Sequence, residues 1–456
     1  MPTGNQDPGP RRERRHHRGR RAAASVCLLA LVGGCSTGAD PTAGRAGGGA
    51  TGRARMGTVL AAPPAAPPSA PGVTLREVDG GPDYFARWAN SFPADPGFFP
   101  IAVWAETLDD PTWIGRYRRL GVNTFSHLWN GATDRAMDQV RAADMFAVAA
   151  VPPGTDMARF DAAYGSHLAA HYYQDEGDGR GVCGDQDERL ARLCRPGADG
   201  RTDPAALADM ADALRTDDPT RPVYGQFTKP VALGQGLDDA QRRAYVDGVD
   251  IVSYDWYVLT DPDHPGPVWE QADATRTVRG LTDRTKPVWP FIETSHVFED
   301  STHRPTPAEV TAETWNAIIG GARGIQYFNH SFKAGLDTQR VLLDDRYRDV
   351  AAAVTMTNRR IRDLAPVLNA PEAQGLARVA TGRANLLAKA YDGSWFLFVA
   401  PRSADAQDVT IRLAGLGDTT ATVLYEDREL PVTGGRLTDH FDGADTVHIY
   451  RITPPG

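Results

Sequence analysis

Two glutamates each stand at the end of an apolar run of strand length. Residues 171–176 read HYYQDE and residues 288–293 read VWPFIE, so the runs end in Glu176 and Glu293. Near-continuous apolar runs are typical of parallel strands that are covered on both faces. A parallel barrel brings the C-terminal ends of its strands to one rim, and two carboxyl groups there can cleave a glycosidic bond.

The chemistry assigns a separate role to each carboxyl group. A protonated carboxylic acid assists departure of a poor alkoxide leaving group, and a carboxylate covers the anomeric carbon. A separation of about 5–5.5 Å leads to retention of configuration, and about 6.5–9.5 Å leads to inversion.

The elements that must position these groups follow from the pattern between residues 98 and 371. Helical patterns occur at 134–144, 203–215, 307–323 and 344–364. They alternate with eight strand-length runs, at 99–105, 122–128, 145–151, 168–174, 222–227, 250–257, 287–292 and 324–328. The pattern predicts an α/β fold, a (β/α)8 TIM barrel over 82–371. A doubly wound open sheet is the alternative, but no glycine-rich phosphate loop follows the first run.

The composition changes after Pro371. Strand patterns recur without helices and are separated by turn signals, which predicts a small antiparallel β-sandwich over 372–456. The predicted strands are 376–380, 386–391, 395–399, 409–413, 420–425 and 446–452. A carbohydrate-binding role is an alternative for this domain. However, its one tryptophan, Trp395, lies inside an apolar run and is expected in the core.

Polar and aromatic residues at the predicted strand ends could hold a sugar, because C–H faces stack on aromatic rings and hydroxyls need fixed polar partners. The candidates for substrate binding are Trp104, His127, Trp129, Asp175, Asp255, Tyr257, His296 and Asn329. Structural alternatives are hydrogen-bonded histidines and tryptophans that fill the barrel mouth. We expect neither a cofactor nor a metal, since no serine elbow, His-Glu-x-x-His motif or nucleotide loop occurs, and the acidic loop 175–188 does not match a calcium loop.

The N-terminus predicts export. A basic run at 11–21 precedes an apolar stretch at 22–32 that is too short to span a bilayer and suits a signal peptide. Residues 32–35 read VGGC and resemble a bacterial lipobox, which predicts a signal peptide over 1–34 and lipidation of Cys35. An ordinary secretory signal is the alternative. The Gly/Ala/Pro-rich segment 36–72 predicts a disordered tether, and hence a domain anchored at the extracellular face of the cell membrane.

The net charge and the cysteines indicate which partners and cross-links to expect. The chain carries −9, and residues 1–34 carry seven arginines against two carboxylates, or +5, so the remainder carries −14. Such an acidic chain disfavours a nucleic-acid partner, and we expect a monomer. Cys183 and Cys194 predict a disulfide worth roughly 3 kcal/mol in an exported protein. A metal site is less favoured, because no second Cys or His pair accompanies them.

The chain resembles the clan A glycoside hydrolases over residues 82–371 and the trailing β domain. Glu176, in YYQDE, matches the acid/base that ends the fourth barrel strand, and Glu293, in PFIETS, matches the nucleophile that ends the seventh. The resemblance implies a retaining double displacement on a carbohydrate substrate. Residues 250–257 resemble the strand 6 segment, where a tyrosine contacts the nucleophile; Tyr257 is the first choice and Tyr254 the second.

One position departs from the family pattern. Many members have Asn directly before the acid/base, where this chain has Asp175. That leaves open a titrating role for Asp175. Two other functions stay open: a non-catalytic surface lipoprotein that binds glycans in a barrel cleft, and a metal-assisted hydrolase of a different substrate. The residues do not distinguish exo from endo action.

Overall fold

The structure is a computed structural model that describes residues 64–180 and 188–454. The described residues all belong to one compact unit. The predicted signal peptide, Cys35, most of the predicted tether and Cys183 lie outside the described residues. Among the residues that are described, no helix is both long and apolar enough to cross a membrane.

Eight parallel strands close into a barrel, which confirms the predicted fold and excludes the open sheet. The closure is made by β2, which pairs with β3 on one side and with β9 on the other. Each predicted run overlaps one observed strand, and β2 and β8 each extend one residue beyond the predicted end. The strands are β2 (Ile101–Glu106), β3 (Thr124–Leu128), β4 (Phe146–Ala149), β5 (Leu168–Tyr172), β6 (Val223–Phe227), β7 (Ile251–Tyr254), β8 (Val288–Glu293) and β9 (Ile325–Phe328).

Helices surround the barrel and connect its strands. They are α1 (Pro111–Arg119), α2 (Asp134–Ala142), α3 (Met157–Tyr164), α4 (Glu188–Leu193), α5 (Pro204–Asp217), α6 (Lys229–Leu233), α7 (Asp239–Asp247), α8 (Glu270–Leu281), α9 (Pro307–Gly320) and α10 (Arg348–Leu368). Short 3-10 turns lie at Tyr84–Arg87, Gly165–His167, Val341–Leu343 and Asp345–Tyr347.

Two helix ends differ from the predicted ones for local reasons. The predicted helix 307–323 ends at Gly320, because Gly321 adopts a left-handed φ of 99° and stops it. The predicted helix 344–364 begins only at Arg348, because a 3-10 turn precedes it.

The barrel interior is packed with side chains. Gln326 of β9 hydrogen-bonds Tyr224 of β6 and Ser253 of β7, which ties three strands together across the core. Above this layer, Phe291 of β8 and Trp104 of β2 pack with ring centroids 5.7 Å apart. The aromatic layer closes the core beneath the C-terminal rim.

The C-terminal part forms the predicted antiparallel β-sandwich. Its ten strands are β1 (Thr74–Arg76), β10 (Glu372–Gln374), β11 (Ala377–Thr381), β12 (Ala384–Tyr391), β13 (Ser394–Pro401), β14 (Gln407–Leu413), β15 (Thr419–Val423), β16 (Arg428–Thr433), β17 (Arg436–Phe441) and β18 (His448–Ile452). They follow the order β1–β10–β12–β13–β18–β15–β16–β17–β14–β11. β1 precedes the barrel in sequence, so the sandwich draws one edge strand from outside the predicted domain 372–456.

β13 joins the two domains because it is buried on both faces. Trp395 lies in the core of the sandwich, as predicted. On the opposite face, Phe398 stacks on Trp315 of α9 with ring centroids 5.9 Å apart. The sandwich therefore packs firmly on the barrel helices.

Candidate active site

Glu176 lies just beyond β5, the fourth barrel strand, with its side chain exposed at the C-terminal rim. Its φ of 46° is left-handed, which is uncommon for a residue with a Cβ. Gln226 at the end of β6 fixes this conformation, since its Oε1 accepts the Glu176 N–H at 3.2 Å and its backbone oxygen accepts the Gly177 N–H at 2.8 Å. Strained backbone of this kind clusters at functional sites.

The buried Asp178 anchors the same turn. Its carboxylate accepts the backbone N–H of Thr228 at 2.7 Å and that of Val231 at 3.2 Å, at the start of α6. The surrounding protein desolvates the Glu176 carboxyl group and so raises its pKa, the charge of Asp178 raises it further, and Lys229 lowers it. A raised pKa keeps a carboxylic acid protonated at higher pH, as a general acid requires.

Glu293 ends β8, the seventh barrel strand, and is fully buried. Its Oε1 accepts the backbone N–H of Leu259 at 2.5 Å. Burial raises its pKa to about 8, although the Thr260 hydroxyl and N–H face the carboxylate and oppose the shift. Neither Oε2 of Glu293 nor the Thr260 hydroxyl completes a hydrogen bond of normal geometry within the described residues.

The loop after β8 is hydrogen-bonded to the loop after β7 and to the loop after β9. The Ser301 hydroxyl donates to the Thr260 oxygen at 3.0 Å, and Lys333 donates to the Ser301 oxygen at 3.0 Å. Phe298 of this loop packs edge-on against Tyr257 at 5.7 Å. In this conformation Glu293 has no exposed surface.

Tyr257 interacts electrostatically with both glutamates. After burial, the charges of Asp255, Glu176, Asp175 and Glu293 each raise its pKa, so its hydroxyl lies within electrostatic reach of both predicted catalytic residues. The Tyr254 hydroxyl instead bonds Thr275 of α8 at 2.8 Å, on the helix side of the barrel. Of the two tyrosines, Tyr257 is the one at the site.

The rim carboxylates form one electrostatic group. Asp255 is buried, and its pKa is raised well above the usual value by burial and then by Glu176, Asp175 and Asp178. The Asp175 charge acts in turn on the buried Tyr172 hydroxyl. Like charges this close do not all ionise together, so the group shares its protons.

Aromatic rings pack around Trp104 and His127. Trp104 stacks on His127 at 5.5 Å and on Phe328 at 5.6 Å, and both Trp104 and His127 are buried. Burial lowers the pKa of His127 to about 3, so this ring is neutral at physiological pH. The Trp129 side chain is 49% exposed and stands edge-on to His127 at 5.5 Å.

Two predicted contacts lie further from solvent than expected. His296 is buried, and burial together with nearby cations lowers its pKa. Asn329 is fully buried; its amide donates to Glu106 at 3.1 Å and its oxygen accepts the Leu342 N–H at 2.9 Å. Since Glu106 also pairs with Arg340 at 3.1 Å, Asn329 braces the barrel wall, and contact with a substrate would require this network to open.

Two residues at the site were not predicted. Phe332 is 39% exposed and packs near Phe328 at 6.1 Å, beyond the end of β9. Glu313 is a fully buried glutamate of α9 that interacts electrostatically with Glu293. Phe332 lies in a loop with no strand pattern, and Glu313 has the sequence appearance of an ordinary helix charge.

No cluster of three or more His, Cys, Asp or Glu suited to a metal occurs in residues 64–180 and 188–454. The Cys183–Cys194 disulfide stays a prediction, because Cys183 lies outside the described residues. A cleft of about 450 Å³ opens beside the N-terminal ends of β7 and β8, lined by residues that include Arg76, Tyr84 and Lys286, and it contains none of the predicted site residues.

Comparison with known proteins gives similarity at the level of structures only. No family model and no curated protein matches the chain. It is similar to a solved structure described as a glycoside hydrolase, with 12% identity, a TM-score of 0.49 and coverage of 78% of this chain and 93% of that one. It is also similar to a family 51 α-L-arabinofuranosidase from Bifidobacterium longum, with 12% identity, a TM-score of 0.45 and coverage of 85% of this chain and 98% of that one. A third similar structure is a GH30 endoxylanase from Clostridium papyrosolvens, with 13% identity, a TM-score of 0.44 and coverage of 84% of this chain and 98% of that one. At this level the similarity carries no argument about activity.

Proposed function

We propose that the protein is a glycoside hydrolase that cleaves an oligosaccharide or polysaccharide by a retaining double displacement. One observation carries the proposal. Glu176 lies just beyond the fourth strand of a closed barrel, Glu293 ends the seventh, and the Tyr257 hydroxyl is within electrostatic reach of both. The C-terminal rim of such a barrel is where catalytic groups are found.

The two glutamates take different steps. Glu176, exposed and with a raised pKa, gives its proton to the leaving oxygen, while the Glu293 carboxylate bonds to the anomeric carbon. Glu176 then removes a proton from water, which attacks the same carbon and releases Glu293. Glu293 requires access, so the loop held by Ser301 and Lys333 moves when substrate enters.

Exposed rings fit the sugar. Trp129 and Phe332 present apolar faces to solvent at the rim, and such faces stack on the C–H surface of a sugar ring. The carboxylates of Asp175 and Asp255 can accept hydrogen bonds from its hydroxyls. No cofactor enters the mechanism.

The test is turnover of a panel of aryl glycosides and cell-wall glycans. The proposal expects hydrolysis of at least one, loss of turnover with binding kept in Glu176→Gln, and partial rescue of Glu176→Ala by azide. Absence of turnover across the panel would count against it.

The location of the enzyme is a separate proposal. Lipidation of Cys35 would hold a monomeric catalytic domain at the extracellular face of the membrane, through the tether that follows. Fractionation of cells that express Cys35→Ser tests it: the variant should leave the membrane fraction, and retention there would contradict the anchor.

Glycan binding without catalysis is the second candidate. It is favoured by one contrast, since Glu293 has no exposed surface whereas Trp129 and Phe332 do. It expects Glu176→Gln to leave every measurable property unchanged, and the hydrolase proposal expects that variant to lose turnover.

A further inference from the structure

A second buried carboxyl group lies behind the proposed nucleophile. Glu313 of α9 is fully buried, and neither of its oxygens completes a hydrogen bond of normal geometry among the described residues. The backbone N–H of Glu293 faces this carboxyl group closely enough to lower its pKa slightly. Oε2 of Glu293 also lacks a bonded partner there.

Within the described residues, the charges that act on Glu313 include no positive one. The charges that act on Glu313 come from Glu293 of β8 and from Glu309 one turn earlier on α9, and all of them are acidic. The buried hydroxyls of Tyr254 on β7 and Tyr327 on β9 feel the Glu313 charge from the two adjacent strands. The backbone N–H groups of Leu259 and Thr260 and the Thr260 hydroxyl face Glu293 from the loop after β7. A buried charge without an opposite partner is costly, so the two carboxyls do not ionise together.

The helix holds Glu313 firmly in this place. Thr306 and Glu309 form a capping box at the start of α9, with Pro307 in the first turn, which fixes the helix register. Thr314, next to Glu313, bonds the Val310 oxygen at 2.8 Å, and the helix is buried on nearly every side. A glutamine or an apolar residue would fill this position without the cost of a buried acid, so packing alone does not explain a glutamate here.

We propose that Glu313 is a positioning residue that shares a single proton with Glu293 and holds it while Glu293 attacks the anomeric carbon. This inference rests on the proposed function. With Glu313 neutral, Glu293 is free to carry the one negative charge that the pair tolerates. In the covalent intermediate Glu293 is an uncharged ester, and its charge returns when water releases the sugar. Glu313 keeps its proton throughout, and no proton leaves the pair.

The test compares Glu313→Gln, which keeps the shape and a hydrogen-bond donor, with Glu313→Met, which keeps only the length. Glu429→Gln is the matched control, because it makes the same change at an exposed position of β16, and Glu429 is not among the charges that act on Glu313. Two measurements are made on the full chain: the Tm between pH 5 and 9, and kcat and KM on the best substrate of the panel.

The stability measurement needs no substrate. Burial and the neighbouring acids raise the pKa of Glu313 in the folded protein. The stability contributed by this group is therefore fully present below the unfolded pKa and is lost as the pH rises towards the folded pKa. Glutamine cannot ionise, so Glu313→Gln should gain in Tm over the wild type as the pH increases, and Glu429→Gln should not. A difference in Tm that stays constant with pH would overturn the shared proton.

The kinetic measurement tests whether Glu313 positions Glu293 for attack. Glu313→Gln should keep kcat within about threefold, whereas Glu313→Met should lose about tenfold or more in kcat with KM little changed. Equal kcat for the two variants would overturn the positioning role. If the wild type turns over no glycoside while the Tm difference still grows with pH, the shared proton stands and the positioning role fails together with the proposed function.

Discussion

The backbone N–H of Leu259 donates to Oε1 of Glu293 at 2.5 Å, and this contact links the end of β8 to the loop after β7. The hydrogen bond stabilises the ionised form of Glu293, yet burial outweighs it and the pKa of Glu293 rises to about 8. Because the nucleophile must be ionised, we predict that kcat/KM falls as the pH drops below about 8. A pH profile between 5 and 10 checks this. If kcat/KM instead falls only near the usual pKa of an exposed carboxyl group, Glu293 is not buried in the active form of the enzyme.

The left-handed backbone of Glu176 predicts a conflict between stability and activity. At a φ of 46°, glycine is free of the strain that a Cβ imposes. We expect Glu176→Gly to raise the free energy of unfolding by about 1 kcal/mol while abolishing turnover. Denaturant titration measures the change. Glu176→Ala is the control, since it removes the carboxylate but keeps the Cβ; an equal gain in both variants would argue against strain.

Asp178 should be essential for placing Glu176. Its buried carboxylate holds the N–H groups of Thr228 and Val231, and those donors would lose their partner in Asp178→Ala. We expect a loss of about 2–3 kcal/mol in stability, together with a lower kcat. Asp178→Asn keeps one acceptor oxygen, so its stability should lie between those of the wild type and Asp178→Ala. Thermal and denaturant unfolding check the order, and a wild-type value for Asp178→Ala would contradict it.

Trp129 should contribute to binding rather than to folding. With 49% of its side chain exposed, its removal costs the fold little, but it takes away a stacking surface. In a Glu176→Gln background, we expect Trp129→Ala to weaken glycan affinity by about tenfold, and Phe332→Ala by less. Calorimetric titration measures both. Met356→Ala on α10 is the control, because Met356 is an exposed apolar residue remote in sequence from the strand ends; equal losses would show a general surface effect.

The sequence predicted what depends on local pattern. Apolar runs gave all eight barrel strands, since parallel strands covered on both faces leave a continuous signal. It missed β16 and β17, whose residues are largely polar and partly exposed, and the three-residue strands β1 and β10. Short edge and surface strands depend on pairing with distant segments, which a local pattern does not record.

The site was predictable in part for the same reason. The rim position of Glu176 follows from its strand, but its left-handed φ depends on Gln226 and Asp178, which come from elsewhere in the loops. Glu313 could not be anticipated, because a glutamate on a helix is usually solvated and its burial depends on how α9 packs between barrel and sandwich. Asn329 follows a strand in sequence, yet its amide is bound within the wall by Glu106.

Covalent trapping tests the central claim most directly. The enzyme would be incubated with activated 2-deoxy-2-fluoro glycosides of the sugar found in the panel, digested and sequenced by tandem mass spectrometry. The retaining mechanism predicts one fluoroglycosyl group on Glu293, absent from Glu293→Gln, and substrate hydrolysis with retained anomeric configuration. A label on another carboxylate, such as Asp255, or a product of inverted configuration would contradict the assignment of Glu293 as the nucleophile.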